Sequence, residues 1–218
     1  MADTRPHFVS RRTLVAAGLA AVPGALPSWA LAANGQVVTM LGDSITAGYG
    51  LPQAASLPIQ LHLALQNLGV ANLVRGAGVS GDTTQDGAAR VDFSIRPDSQ
   101  VVVVALGGND LLQGVDPKTT HANLEHIVRR LKARHMAVIL CGLHAPPELG
   151  AGYARDFDAV FPGVAKAERV TLYPDLLAGV ARNPALNQGD AIHPNAKGVQ
   201  IIAGRLAPVV AQALKKRA

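Results

Sequence analysis

The stretch Val37-Val38-Thr39-Met40-Leu41-Gly42-Asp43-Ser44-Ile45-Thr46-Ala47-Gly48-Tyr49 decides the reading of this chain. Its first five residues form a short, nearly continuous apolar run, the pattern of a strand buried on both faces. The run stops at Gly42 and leaves a serine just past its C-terminal end. In open α/β sheets that end is where ligands bind. Outward from this stretch, strand-like and helix-like segments alternate. Leu61, Leu65 and Leu68 recur at helical spacing over 58–68, and 72–75 is a weak second strand. Asp82 or Thr83 is placed to cap a helix running to about Phe93. Residues 100–106, with four consecutive valines, form the clearest buried strand. Thr119 or Thr120 is expected to open a helix whose Leu124, Ile127, Val128 and Leu131 make one apolar stripe, with Glu125 placed to support Arg129. A fourth strand is expected over 137–143. A helix over 154–168, disturbed by Pro162, leads to a fifth strand at 170–173. A last helix runs from about Asn195 to Lys215, with a kink at Pro208. Repeated strand-then-helix units imply parallel strands joined by right-handed crossovers. The fold class is therefore α/β: a three-layer α/β/α sandwich around a five-stranded parallel sheet.

The bulk properties fit a single globular domain. The chain has 218 residues, long enough for a sizeable core, and 49% are apolar against 16% charged, which excludes a disordered chain. The net charge is +5, but the positive residues are scattered apart from Lys215-Lys216-Arg217, and aromatics are scarce. That pattern reads as a solvated basic tail and argues against nucleic acid. The single cysteine, Cys141, lies in an apolar run and reads as a buried structural thiol. The N-terminus has a different character. Arg11-Arg12 precedes an apolar segment from Leu14 to Val22, followed by Ala30-Leu31-Ala32-Ala33. This is a charged region, a short apolar region and a small-residue cleavage site. It is too short to span a bilayer. The paired arginines are similar to a twin-arginine export signal, although Phe and Leu-Lys do not follow them. Residues 1–32 are thus expected to be an export leader cut near Ala32-Ala33, and residues 33–218 the folded domain, periplasmic or secreted. Losing the leader lowers the net charge to +3, because it holds three arginines and one aspartate.

Acyl transfer by a serine needs a nucleophile, a base oriented by a third group, and donors for the oxyanion. Ser44 is the candidate nucleophile. It does not sit in G-x-S-x-G, since Asp43 precedes it and Ile45 follows. Asp190 and His193, three apart in a loop flanked by Gly189 and Pro194, can lie on one side of a turn. The carboxylate then holds Nδ1–H while Nε2 faces Ser44. Donors are expected at two other strand ends: the Asn109 amide after the valine strand, and the Gly81 N–H after the second strand. Gly76-Ala77-Gly78-Val79-Ser80-Gly81 also spells G-x-G-x-x-G. It follows the second strand rather than the first, and the acidic residue such a site requires is missing, so a dinucleotide site is not assigned. Asp43 and Asp110 read as pins of the active-site turns. His62, His121, His126 and His135 fall on helix patterns without ligand spacing to a partner. His144, at a strand end, is the one further histidine placed to meet a substrate.

Gly42-Asp43-Ser44, Gly81, Gly107-x-Asn109 and Asp190-x-x-His193 resemble, in order, the four blocks of the SGNH (GDSL) hydrolases. The likeness is closest to the branch of small periplasmic acyl-CoA thioesterases, lysophospholipases and arylesterases, and covers nearly all of 36–214. The resemblance implies Ser44 as nucleophile, His193 as base and Asp190 as its orienter. It implies an oxyanion hole of the Ser44 N–H, the Gly81 N–H and the Asn109 side chain. It also implies a flavodoxin-like sheet, an acyl ester or thioester as the small or lipid-like substrate, and no metal or organic cofactor. The chain departs from close relatives at Gly76, where Asn is common, and at His144 and Glu148, where Arg and Asn often stand. The pocket is expected to be built from the loops 48–57 and 143–153. Two other functions remain open on these residues: a carbohydrate-ester deacetylase and a noncatalytic flavodoxin-like binding protein.

Overall fold

The computed structural model describes residues 36–216 together with residues 1–2; the remainder of the expected leader lies outside the described residues. Five strands form one parallel sheet: β1 (Gln36–Gly42), β2 (Asn72–Gly78), β3 (Val101–Ala105), β4 (Ala137–Cys141) and β5 (Thr171–Tyr173). Their order is β2-β1-β3-β4-β5, the flavodoxin-like order. The helices between them are α1 (Ser44–Ala47), α2 (Leu57–Asn67), α3 (Thr84–Ser94), α4 (Gly108–Gln113), α5 (Pro117–Ala133), α6 (Ala151–Asp158), α7 (Val160–Glu168) and α8 (Ala196–Lys215). Helices α2 and α8 pack together, and α5 packs between α3 and α7. The valine strand β3 is buried along its whole length, as its lack of alternation requires. Leu57, Leu61 and Leu65 of α2 are fully buried, each worth about 1.5–3 kcal/mol in apolar burial.

The three-layer architecture and the five parallel strands agree with the sequence reading, and the differences are local. Strand β2 extends to Gly78 and pairs with β1 along all seven residues. Gly76 and Gly78 of the G-x-G-x-x-G stretch are therefore strand residues. Helix α3 is capped by Thr83, whose hydroxyl accepts from the Asp86 N–H while Asp86 accepts from the Thr83 N–H. Helix α5 starts at Pro117, capped by Asp116, two residues before the expected threonine. His135 lies beyond the end of α5 with a φ of +59°, not on the helix. The helix expected over 154–168 is two helices that meet at Ala159. Pro162 explains the break: its ring excludes the carbonyl four residues back, so it is tolerated only in the first turn of a new helix. Helix α8 runs through Pro208 without interruption. Glu125 and Arg129 pair at 2.6 Å, and Arg129 also reaches Glu168 at 2.7 Å. Among the described residues, no helix is long and apolar enough to cross a membrane.

Candidate active site

Strand order brings the predicted residues together. β1 is flanked by β2 and β3, with Gly42 in register with Gly78 on one side and Ala105 on the other. The segments carrying Ser44, Gly81 and Asn109 therefore leave the sheet side by side. The order in which strands are added to the sheet reverses between β1 and β3, which is where open α/β sheets form a crevice.

Ser44 is the first residue of the one-turn helix α1, too short to show in any periodicity. Asp43 caps it, with Oδ1 accepting from the Ile45 N–H at 3.0 Å. The turn comes down tightly on the strand ends. A Cβ on Gly42 would stand 2.1 Å from Thr46 Oγ1, and one on Gly78 only 2.4 Å from the Ala47 nitrogen. Glycine at both places lets α1 seat on the sheet. The Ser44 N–H is at a helix N-terminus, where no partner exists within the helix.

The imidazole comes from the turn before α8. His193 Nε2 lies 2.9 Å from Ser44 Oγ, and Nδ1 lies 2.6 Å from Asp190 Oδ2. Asp190 Oδ1 also accepts from the N–H groups of Ile192 and His193, each at 3.0 Å. Hydrogen bonds from the His193 N–H, the His193 ring and the Ile192 N–H hold the Asp190 carboxyl down at about 2. An ionised Asp190 only accepts, so Nδ1 carries the proton and Nε2 is left to accept from the Ser44 hydroxyl. Ala191 adopts a φ of +58°, a strained conformation for a residue with a side chain, and the two N–H bonds to Asp190 hold the turn around it.

Two residues that sequence reasoning missed fix this loop. The Tyr49 ring packs on the His193 ring with centroids 4.7 Å apart. Gln188 Nε2 donates to the carbonyls of Tyr49 at 2.8 Å and Pro194 at 3.1 Å, joining the serine loop to the histidine loop. Neither has a local signature, because their partners are a ring and backbone carbonyls from distant segments. A shallow depression beside Ser44 is lined by Ile45, Gly48, Tyr49, Leu51, His193, Pro194 and Val199. The 48–57 loop contributes Gly48, Tyr49 and Leu51 to it. His144 pairs with Asp158 at 3.1 Å.

Asn109 is the second residue of the short helix α4, which the sequence reading treats as a turn. One of its Nδ2 hydrogens goes to the Asp82 carbonyl at 2.9 Å, which leaves the second free to face an oxyanion. Gly81 has a φ of +91°, and among the described residues its N–H donates to no protein acceptor. Asp110 is fully buried and accepts from the Thr84 N–H and from the hydroxyls of Thr84 and Thr120, pinning α4 to α3 and α5. Burial pushes the Cys141 thiol up to about 12, so it is not a competing nucleophile. Among the described residues, no three His, Cys, Asp or Glu side chains are arranged to hold a metal ion.

Asp43 carries a second consequence. It is 4% exposed, and burial raises its carboxyl to about 6 against the opposing pull of the Ile45 N–H and His193. Its unfolded value is 3.8, so between about pH 4 and 6 the folded state holds the extra proton. Stability therefore falls as pH rises through that window, by at most about 3 kcal/mol. Asp43→Asn keeps an acceptor for Ile45 and removes the charge. It is expected to be more stable than the parent at pH 8, with the gap closing toward pH 4. Urea denaturation across this range checks it; parallel stability curves would show that the buried charge carries no such cost.

Comparison with known proteins agrees with this arrangement. Residues 40–201 match the GDSL-like lipase/acylhydrolase family. The chain is 34% identical over 177 residues to thioesterase 1/protease 1/lysophospholipase L1 of Escherichia coli K12, covering 81% of this chain and 84% of that protein. It is 34% identical over 158 residues to an arylesterase of Vibrio mimicus, covering 71% and 78%. Its structure is similar to that of AlinE4, an SGNH-hydrolase family esterase, with a TM-score of 0.70, 41% identity and coverage of 83% and 97%. A likeness of this extent, over the fold that carries all four blocks, means that the chain belongs to the GDSL-like lipase/acylhydrolase family, the SGNH hydrolases.

Proposed function

We propose that this protein is an exported serine esterase and thioesterase that works through an acyl-enzyme on Ser44. The observation that carries the reading is the unbroken hydrogen-bonded chain from Ser44 Oγ through His193 to Asp190. In this reading Ser44 attacks the acyl carbonyl and its proton passes to His193 Nε2. Asp190 keeps the ring in the required tautomer and stabilises the imidazolium. The Ser44 N–H, the Gly81 N–H and the free Asn109 N–H donate to the carbonyl oxygen as negative charge develops on it. His193 then protonates the leaving group, and water repeats the sequence to release the acid.

Substrate class follows from the leaving group and the cleft. An alkoxide or thiolate leaves with modest help, whereas an amine must be protonated as the tetrahedral intermediate collapses. Ile45, Tyr49, Leu51 and Val199 beside Ser44 offer an acyl chain apolar contact. Relatives named as thioesterase, lysophospholipase and arylesterase support the same range of acyl substrates. A p-nitrophenyl ester and an acyl-CoA are expected to turn over readily and a matched anilide very poorly, compared by kcat/KM. Equal activity on the anilide, or activity confined to acetylated sugars, would overturn the assignment of substrate.

Export rests on the Arg11-Arg12 pair, the apolar segment after it and the Ala-rich cleavage site. A twin-arginine signal is read by a receptor, so charge alone does not suffice. Arg11→Lys with Arg12→Lys is expected to leave full-length precursor in the cytoplasm, detected by fractionation and immunoblot. Normal export of the double variant would remove the twin-arginine route.

A further inference from the structure

Arg90 lies in the middle of α3, and nothing in its local sequence marks it. Its guanidinium nevertheless binds four acceptors. Nε donates to Asp82 Oδ2 at 2.6 Å, Nη1 to the Ala77 carbonyl at 2.9 Å and to Ser94 Oγ at 3.0 Å, and Nη2 to the Gly42 carbonyl at 2.9 Å. Four of its five N–H groups are thus engaged. The Arg90 and Asp82 side chains are only 18% and 12% exposed, so the pair is little screened by solvent.

The acceptors are the informative part. Gly42 ends β1, two residues before Ser44. Ala77 lies near the end of β2, four residues before Gly81. Asp82 follows Gly81 directly, and its carbonyl is the one that Asn109 Nδ2 binds. A single guanidinium therefore touches each segment that leads to an oxyanion donor: directly for Ser44 and Gly81, and through Asp82 for Asn109. Such donors act only when held in place before charge develops, since reorganisation during the reaction cancels the gain. The loop after β2 needs outside support, because Gly81 has the conformational freedom of glycine and its N–H has no partner among the described residues.

We propose that Arg90, acting through Asp82, is a positioning residue for the oxyanion hole. This rests on the reading of Ser44, Gly81 and Asn109 given above. The planar fork matters as well as the charge: a lysine ammonium cannot span Asp82, Ala77 and Gly42 in one fixed geometry.

The test uses the purified protein, a p-nitrophenyl ester and active sites counted by labelling with a fluorophosphonate. Per labelled site, Arg90→Gln is expected to lower kcat by about 10–100-fold with KM changed less than about twofold, the scale of a small misplacement of catalytic groups. Arg90→Lys is expected to stay at least about threefold below the parent. Combined with Asn109→Ala, the Arg90→Gln loss should fall at least about fivefold short of the product of the single losses, because an absent donor cannot be misplaced. Asp82→Asn, which keeps an acceptor of the same shape, should show the same non-multiplicative behaviour and serves if Arg90→Gln does not fold. Arg75→Gln, which breaks the partly exposed Arg75–Asp98 pair outside the site, should leave kcat unchanged. Losses that multiply fully with Asn109→Ala, a change confined to KM, or an equal loss in Arg75→Gln would each overturn the positioning role. If Ser44→Ala stays active or Asn109→Ala leaves kcat unaltered, the proposed function itself fails, so the two failures are distinguishable.

Discussion

Ser44→Ala is expected to reduce ester hydrolysis by about four to six orders of magnitude while leaving the fold intact. In the proposed mechanism the hydroxyl forms the acyl-enzyme, and Cys141 is buried with its thiol pushed up to about 12. Among the described residues, no other nucleophile bonds to the His193 ring. What remains is the contribution of the oxyanion donors to attack by water. Stability should change little, because among the described residues the lost oxygen has one hydrogen bond, to the imidazole, and Ser44 is only partly buried. The checks are kcat on a p-nitrophenyl ester, the disappearance of the acylation burst and an unchanged Tm. Near-parental turnover in a clean preparation would sink the assignment of this site.

The second large effect is expected for Asn109→Ala, with kcat lowered by about 10²–10³ and KM altered far less. The proposed oxyanion hydrogen of the amide matters mainly once the carbonyl oxygen becomes negative, so its loss is felt in the transition state and little in substrate binding. The other amide hydrogen holds the Asp82 carbonyl, so the truncation also loosens the loop that carries Gly81. Steady-state kinetics separate the two parameters. A rise in KM at constant kcat would make Asn109 a ground-state contact rather than an oxyanion donor.

Much of this was legible in the sequence, for identifiable reasons. The four valines of β3 have no alternation, which fits only a strand covered on both faces. The Leu124, Ile127, Val128 and Leu131 stripe sets the buried face of α5. Ser44 after a buried strand, and Asp190 three before His193, supplied the chemistry without coordinates. The misread parts had weak local signals. Helices α1 and α4 are too short for any periodicity. Strand β2 lies at the sheet edge and contains two glycines, so it looked like a loop beyond Arg75. The disturbance expected at Pro162 falls at Ala159, because the chain restarts a helix before the proline instead of bending at it.

The sequence by itself determined most element types, the α/β class and the candidate reacting groups, since these depend on periodicity, propensity and side-chain chemistry within short windows. The tertiary structure alone decided what those groups meet. The order β2-β1-β3 sets the ends of three strands side by side, and the turn before α8 brings His193 across 149 residues to Ser44. It also decided that Gln188 joins two loops and that Arg90 ties Gly42, Ala77 and Asp82 together. The backbone carbonyls among those partners belong to every residue type equally. No residue pattern can announce them, and only the packing of distant segments selects which carbonyl each side chain reaches.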